Sequence, residues 1–192
     1  MEFYSYSKAI LRPIPDYYKL VRDHIKRISS TVRIDENPSF WQLFIAYFRH
    51  PIEIRPGLFI GNVVNASNWE QLQKYQISTV YNVSAELKCY FEKDLEYHHY
   101  PIYDIKGQPL NQDEFTNLVD QIHTDLEEGK RVLVHCHHGR SRSATLIMGY
   151  LVKYHGLSVE ESYSLMKKKK PIVNLNTDFY KQLEQMRVSW TK

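Results

Sequence analysis

Between residues 135 and 143 the chain reads His-Cys-His-His-Gly-Arg-Ser-Arg-Ser, which puts a thiol, a glycine and a guanidinium into one short stretch. Arg131-Val-Leu-Val-His135 precedes it as an apolar run, and a helical pattern from Ser143 to Tyr154 follows it. A strand, a tight loop and a helix N-terminus bind anions, because backbone N–H groups and the helix dipole converge on one point. A free thiol ionises near pH ~8.5, and a helix N-terminus with a neighbouring guanidinium brings that to roughly 3.5–7.5. Cys136 is therefore placed to act as a thiolate nucleophile. Gly139 permits a turn that a Cβ would hinder, so the loop N–H groups can point inward as a nest. Arg142 supplies a planar donor fork that a lysine cannot reproduce. The anion-contacting set expected is His137, His138, Gly139, Arg140, Ser141 and Arg142.

These residues need a scaffold, and the pattern from Pro51 onward supplies one. Short β-branched or aromatic runs alternate with helical stretches, which marks an α/β domain. Strands are expected at Leu58 to Ile60, Ile77 to Val83 and Tyr97 to Ile102, with a helix over Ala66 to Tyr75. Asn111 caps a long helix ending at Gly129, whose Phe115, Leu118, Val119, Ile122 and Leu126 share one face. The VLVH run suits a central parallel strand buried on both faces. Two further helices, Ser158 to Lys169 and Thr177 to Ser189, complete the chain. Before residue 51, prolines 13, 15, 38 and 51 bracket two helices, near Asp16 to Ile28 and over Phe40 to Phe48. The expected division is a partly helical extension over residues 1–50 and a catalytic domain over 51–192.

Composition narrows the function classes. The net charge of +3 is small and Lys and Arg are mixed with Asp and Glu, so bulk nucleic-acid binding is not indicated. Only Cys89 and Cys136 occur, which is neither a disulfide framework nor a metal-ligand spacing and suits a reducing compartment. No secretory signal is visible at the N-terminus. Phe40 to Phe48, the most apolar run, falls short of the roughly 20 residues that span a bilayer and reads as a buried or docking segment. An intracellular protein, cytoplasmic or nuclear, is expected. His98 and His99 alternate faces of a strand, so no shared metal site is expected, and the Lys167 to Lys170 run suits a helix C-terminus.

The nine-residue stretch resembles the Cys-x5-Arg signature of the protein tyrosine phosphatase superfamily, in the Ser-Arg-Ser form typical of dual-specificity members. The likeness extends from Pro51 to about Gln185, through IRPGLFIGN, PIYD at 101 to 104, SATLIMGYLV and KPIVNLNTDFYKQL. It implies a central, mostly parallel twisted sheet flanked by helices, and a phosphocysteine intermediate formed without metal or cofactor. Departure of the ester oxygen wants a proton from an acid on a loop facing Cys136. The resemblance assigns that role to Asp104. Asp113 and Glu114 fall in a helix first turn, where the dipole explains them better. The resemblance further assigns Ser143 to the release of Cys136, His135 to its positioning, and Asn176 to bracing the loop. Leu175 stands where a proline is usual, and Lys170 where an arginine is usual.

The implied substrate is a protein carrying phosphotyrosine and phosphoserine or phosphothreonine. His137, His138 and Arg140 make the loop basic on paper, which keeps a phosphoinositide or an RNA 5′ end open as alternatives. Against RNA stands Ser141-Arg142-Ser143-Ala144, where relatives acting on RNA carry Asn-Arg-Thr-Gly. A catalytically inactive phospho-binding scaffold is the remaining alternative, although such proteins typically lose the cysteine or the arginine.

Overall fold

The structure is a computed structural model that describes residues 50–190. In chain order it forms β1 (Ile52–Arg55), β2 (Leu58–Gly61), α1 (Val63–Ala66), α2 (Trp69–Lys74), β3 (Thr79–Asn82), β4 (Glu96–His99), α3 (Gln112–Glu127), β5 (Val132–His135), α4 (Arg142–His155), α5 (Val159–Lys169) and α6 (Thr177–Trp190). The two helices expected before residue 50 lie outside the described residues.

The five strands make one sheet in the order β1-β2-β5-β3-β4. Only β1 runs antiparallel to its neighbour. β5 is the central strand and every one of its residues is buried, as its unbroken apolar run requires. Period-two alternation divides the strand residues between two cores. Leu58, Ile60, Tyr81, Val132 and Val134 face the larger one, with α3, α4, α5 and α6. Phe59, Val80 and Leu133 face the smaller one, with Ala66 and Leu72 from α1 and α2.

α4 is buried from Arg142 to Val152, so it is apolar nearly all round and passes through the core. Gly149 lets it approach α3, since a Cβ there would lie 2.7 Å from the Phe115 ring. The left-handed Gly156, with φ of 64°, ends it. Ser158 opens α5 with a capping box to Glu161.

Two expectations need correction, and one strand was not expected. Ala66 to Tyr75 is not one helix: Asn62 caps α1, and Asn68 starts α2 afresh by accepting from Gln71 N. Tyr97 to Ile102 does not continue as a strand past His99, because Pro101 has no N–H to give and restrains Tyr100. β1 went unforeseen, although Ile52-Glu-Ile-Arg55 alternates and Pro56-Gly57 makes the tight turn into β2, with Gly57 at φ 77°.

Candidate active site

β5 ends at His135, in register with Gly61 of β2 and Asn82 of β3, and Cys136 is the next residue. The loop therefore lies at the C-terminal edge of the sheet, in the crevice where α/β folds bind ligands. Gly139 N donates to Cys136 Sγ at 3.2 Å, and Ser143 Oγ lies 3.3 Å from the same sulfur. Burial alone would push this thiol up. The Arg142 charge, the Ser143 hydroxyl and the backbone N–H groups of Ser143 and Gly139 together outweigh burial and hold it below the ordinary thiol range.

Arg142 is buried at the first position of α4. A guanidinium has five N–H donors in a fixed plane. Here Nη1 donates to Glu86 Oε2 at 2.6 Å and to the Ile102 carbonyl at 3.0 Å, while Nη2 donates to Glu86 Oε1 at 2.6 Å. Nε is buried without a hydrogen-bond partner among the described residues. The terminal fork is thus committed to Glu86, and the remaining donors, on Nε and Nη2, lie along one edge of the plane. Burial opposes the Glu86 carboxylate, but the hydrogen bonds and charge of Arg142 hold it below the usual range.

Ser141 is the N-cap of α4 yet makes no capping bond. Its hydroxyl donates to Asp104 Oδ1 at 2.9 Å and accepts from Asn176 N at 3.2 Å. The first-turn N–H groups of α4 stay uncapped by it and available to an anion. Asn176 Nδ2 also donates to the Ile105 carbonyl at 2.8 Å, so Asn176 joins the Cys136 loop to the Asp104 loop. Asn174 N donates to the Arg140 carbonyl at 2.9 Å, and Val63 N to the His137 carbonyl at 3.2 Å.

Gly139 has φ of +67°, and a Cβ there would lie 2.4 Å from the Gly61 carbonyl oxygen and 2.7 Å from Lys170 Nζ. Lys170 is therefore not the exposed end of a solvated lysine run: it is buried with its amine against the loop backbone. Burial brings it down to about 8, with the Cys136 charge acting in the opposite sense. Its neighbours Lys167 to Lys169 do form the exposed charge run at the end of α5.

His138 departs from the basic loop read from sequence. Burial, helped by the charges of His137, Arg140 and Arg142, holds His138 down to about 3 against the pull of Glu86. His138 is neutral at physiological pH, and Arg140 is the exposed cation of the loop. His137 is buried, with its ring centroid 4.8 Å from that of His138. His135 is buried next to Cys136, and burial holds it down to about 3 as well, helped by the charges of His99 and Arg142.

Asp113 and Glu114 stand in the first turn of α3 under the Asn111 cap. Cys89 and Cys136 are both free thiols, and Cys89 Sγ lies 3.9 Å from Asn82 Nδ2. His99 is engaged with the Ser84 carbonyl at 2.9 Å. His98 instead joins Glu96 and Asp125 near the opposite edge of the sheet, where Lys130 Nζ contacts both carboxylates at 2.9 Å and supplies the cation. Sequence reasoning missed Glu86. Its signal is topological: it follows β3, the neighbour of β5, so its loop flanks the cysteine loop at the same sheet edge.

Comparison with known proteins bears on this arrangement. Residues 58–189 match the family model described as dual specificity phosphatase, catalytic domain. Dual specificity protein phosphatase 14 of Mus musculus is 37% identical over 131 residues, which are 68% of this chain and 66% of that protein. Dual specificity protein phosphatase 1 of Arabidopsis thaliana is 29% identical over 191 residues, covering 96% of this chain and 89% of the relative. Among solved structures, the human tyrosine phosphatase-like serine/threonine/tyrosine-interacting protein superposes with a TM-score of 0.69 at 26% identity, over 75% of this chain and 99% of that one.

Proposed function

The chain belongs to the dual specificity phosphatase family, and from that premise we propose that Cys136, Arg142 and Asp104 hydrolyse phosphomonoesters on protein side chains. The Cys136 thiolate attacks phosphorus, forming an S–P bond as the ester P–O bond breaks, and the departing oxygen takes a proton from Asp104. Water then attacks the phosphocysteine, the S–P bond breaks, inorganic phosphate leaves, and Asp104 takes up a proton from that water. Ser143, 3.3 Å from the sulfur, stabilises the leaving thiolate in this second step. The scheme uses no metal or cofactor.

The division of the Arg142 donors carries this reading. Three N–H groups anchor the guanidinium to Glu86 and Ile102, which leaves Nε and the second Nη2 donor to hold two oxygens of a transferring phosphoryl group side by side. The loop N–H groups and the N-terminus of α4 complete the cradle, and buried His135 supports Cys136 from behind. His137, His138, Gly139, Arg140 and Ser141 line it, with Arg140 the side chain placed to meet charge on the substrate. The His137 and Arg140 pair that keeps a phosphoinositide open and the His138 that keeps an RNA 5′ end open weigh less than the family match, and a phosphorylated protein is the substrate class we assign.

As part of the same reading, residues 51–192 form the catalytic domain and 1–50 an extension. Two free cysteines suit a reducing cytoplasmic or nuclear setting, and among the described residues no helix is long and apolar enough to cross a membrane. The test is metal-free phosphate release by the chain and its Cys136→Ser variant on phosphotyrosyl and phosphothreonyl peptides, phosphoinositides and 5′-triphosphorylated RNA. Cysteine-dependent release from the peptides is expected. No release by folded, reduced protein would leave a phospho-binding module instead.

A further inference from the structure

Asp104 sits in an irregular stretch between β4 and α3, and every residue from Tyr103 to Gly107 is exposed. Its apolar members, Tyr103 and Ile105, are 54% and 59% exposed, so no side chain of this tip is buried to define its position. A segment without buried contacts opens at little cost unless hydrogen bonds hold it. Efficient proton transfer to a leaving group needs a donor held within hydrogen-bond reach, and a misplacement of ~1 Å can cost about 100-fold.

Beyond the bonds that Ser141 makes to Asp104 and Asn176 to Ile105, support for the segment comes from α6. Asp178 Oδ2 accepts from Gly107 N at 2.8 Å. Gln182 Oε1 accepts from Leu110 N at 2.7 Å, and Gln182 Nε2 donates to the Gln108 carbonyl at 3.0 Å. Asp178 and Gln182 are one helical turn apart and so share a face. Gln182 Nε2 also reaches the Asp178 carbonyl at 3.2 Å, and Asp178 N donates to Asn176 Oδ1 at 3.0 Å. α6 is itself fixed by Phe179, Leu183 and Met186, all buried in the larger core. A rigid helix thus grips three backbone groups of the segment that follows Asp104.

We propose that Asp178 and Gln182 are positioning residues that clamp the Asp104 loop from α6 and hold the carboxyl over the leaving group. This rests on the reading of Asp104 as the general acid. The clamp acts only on proton donation, so it leaves the nucleophile untouched and matters in proportion to how much the leaving oxygen needs a proton.

The experiment compares Asp178→Ala, Gln182→Ala, their combination, Asp178→Asn and Asp104→Asn with the parent chain. Each is assayed on 4-nitrophenyl phosphate, whose leaving group departs readily, and on a phosphoseryl peptide, whose leaving group does not. The double variant should lose about tenfold in kcat on the peptide and no more than about twofold on the aryl ester. Its kcat–pH profile on the peptide should show a weakened basic limb, because the displaced Asp104 still supplies part of its effect, while the pH dependence of Cys136 alkylation stays that of the parent. Asp178→Asn, whose amide oxygen can still accept from Gly107 N, should restore the Asp178→Ala loss. Equal losses on both substrates, or none on the peptide, would overturn the clamp. If Asp104→Asn itself treats the two substrates alike, the acid reading falls, and the clamp falls with it.

Discussion

The hydroxyl of Ser141 donates to Asp104 Oδ1 at 2.9 Å, which joins the N-cap of the helix that begins at Arg142 to the candidate acid. Because Ser141 supplies the proton of that bond, Oδ1 is an acceptor, and under the proposed acid role the transferred proton would sit on the other oxygen, Oδ2. Ser141→Ala removes this orientation and leaves Asn176 N without its acceptor. The expected result is a fall in kcat of about tenfold on phosphoseryl peptide, and Asp104→Asn should fall by about 100-fold or more, as loss of a general acid does. Single-turnover kinetics with the two substrates of different leaving ability would check both. Equal sensitivity of Ser141→Ala on the two would locate its role elsewhere than in proton donation.

Glu86 sets the direction of the Arg142 plane through two bonds of 2.6 Å. Replacing it by Gln keeps one acceptor and removes the countercharge of a buried guanidinium. The variant should lose about 1.5–3 kcal/mol of stability, the range for a hydrogen bond to a charged group, and its KM and kcat should both worsen as Arg142 turns. Urea unfolding together with steady-state kinetics would measure this. Because Glu86 is held below the usual carboxylate range, its contribution is present above its unfolded value and lost as pH falls through the folded one. Glu86→Gln should therefore flatten the acid side of the parent's stability profile.

Cys136 ionises below the ordinary thiol range against the effect of its own burial. Ser143 contributes through its hydroxyl and its backbone N–H. Ser143→Ala keeps the N–H and loses the hydroxyl, so the midpoint of iodoacetamide alkylation should move to higher pH and phosphocysteine should accumulate. Alkylation rate against pH, read beside trapping of the phosphoenzyme, tests both halves. An unmoved midpoint would remove the hydroxyl from thiolate stabilisation.

The parts of this architecture that were legible in sequence were those governed by short-range rules. VLVH announced a central strand, Asn111 and Ser158 announced helix starts, and Cys136 to Arg142 announced the tight loop between β5 and α4. What stayed hidden depends on contacts between distant segments. Glu86 and Arg142 are far apart along the chain and meet only because β3 and β5 are neighbours. Lys170 looked like part of a solvated charge run until its amine was found against Gly139. The reading of His138 as basic failed for a related reason, since a histidine's charge is set by its surroundings rather than by its type.

His138 also makes a pH-dependent contribution whose sign follows from its environment. It ionises at about 3 in the fold against the ordinary 6.5, so below pH 6.5 the unfolded chain binds a proton that the folded chain refuses. Stability associated with this residue is complete above 6.5 and declines as pH falls toward 3. Between pH ~6.5 and ~5 the decline from one such group reaches at most about 2 kcal/mol, since one pKa unit corresponds to about 1.4 kcal/mol. The groups acting on His138 besides burial include His137, Arg140, Arg142 and Glu86, so the variant to compare must leave all four in place. His138→Gln does so. Urea midpoints at pH 7.5 and pH 5 should differ less for His138→Gln than for the parent, with His135, also down to about 3, accounting for part of the slope that remains. Identical slopes in the two proteins would mean that His138 accepts a proton in the folded loop, and the basic reading of residues 137 to 140 would return.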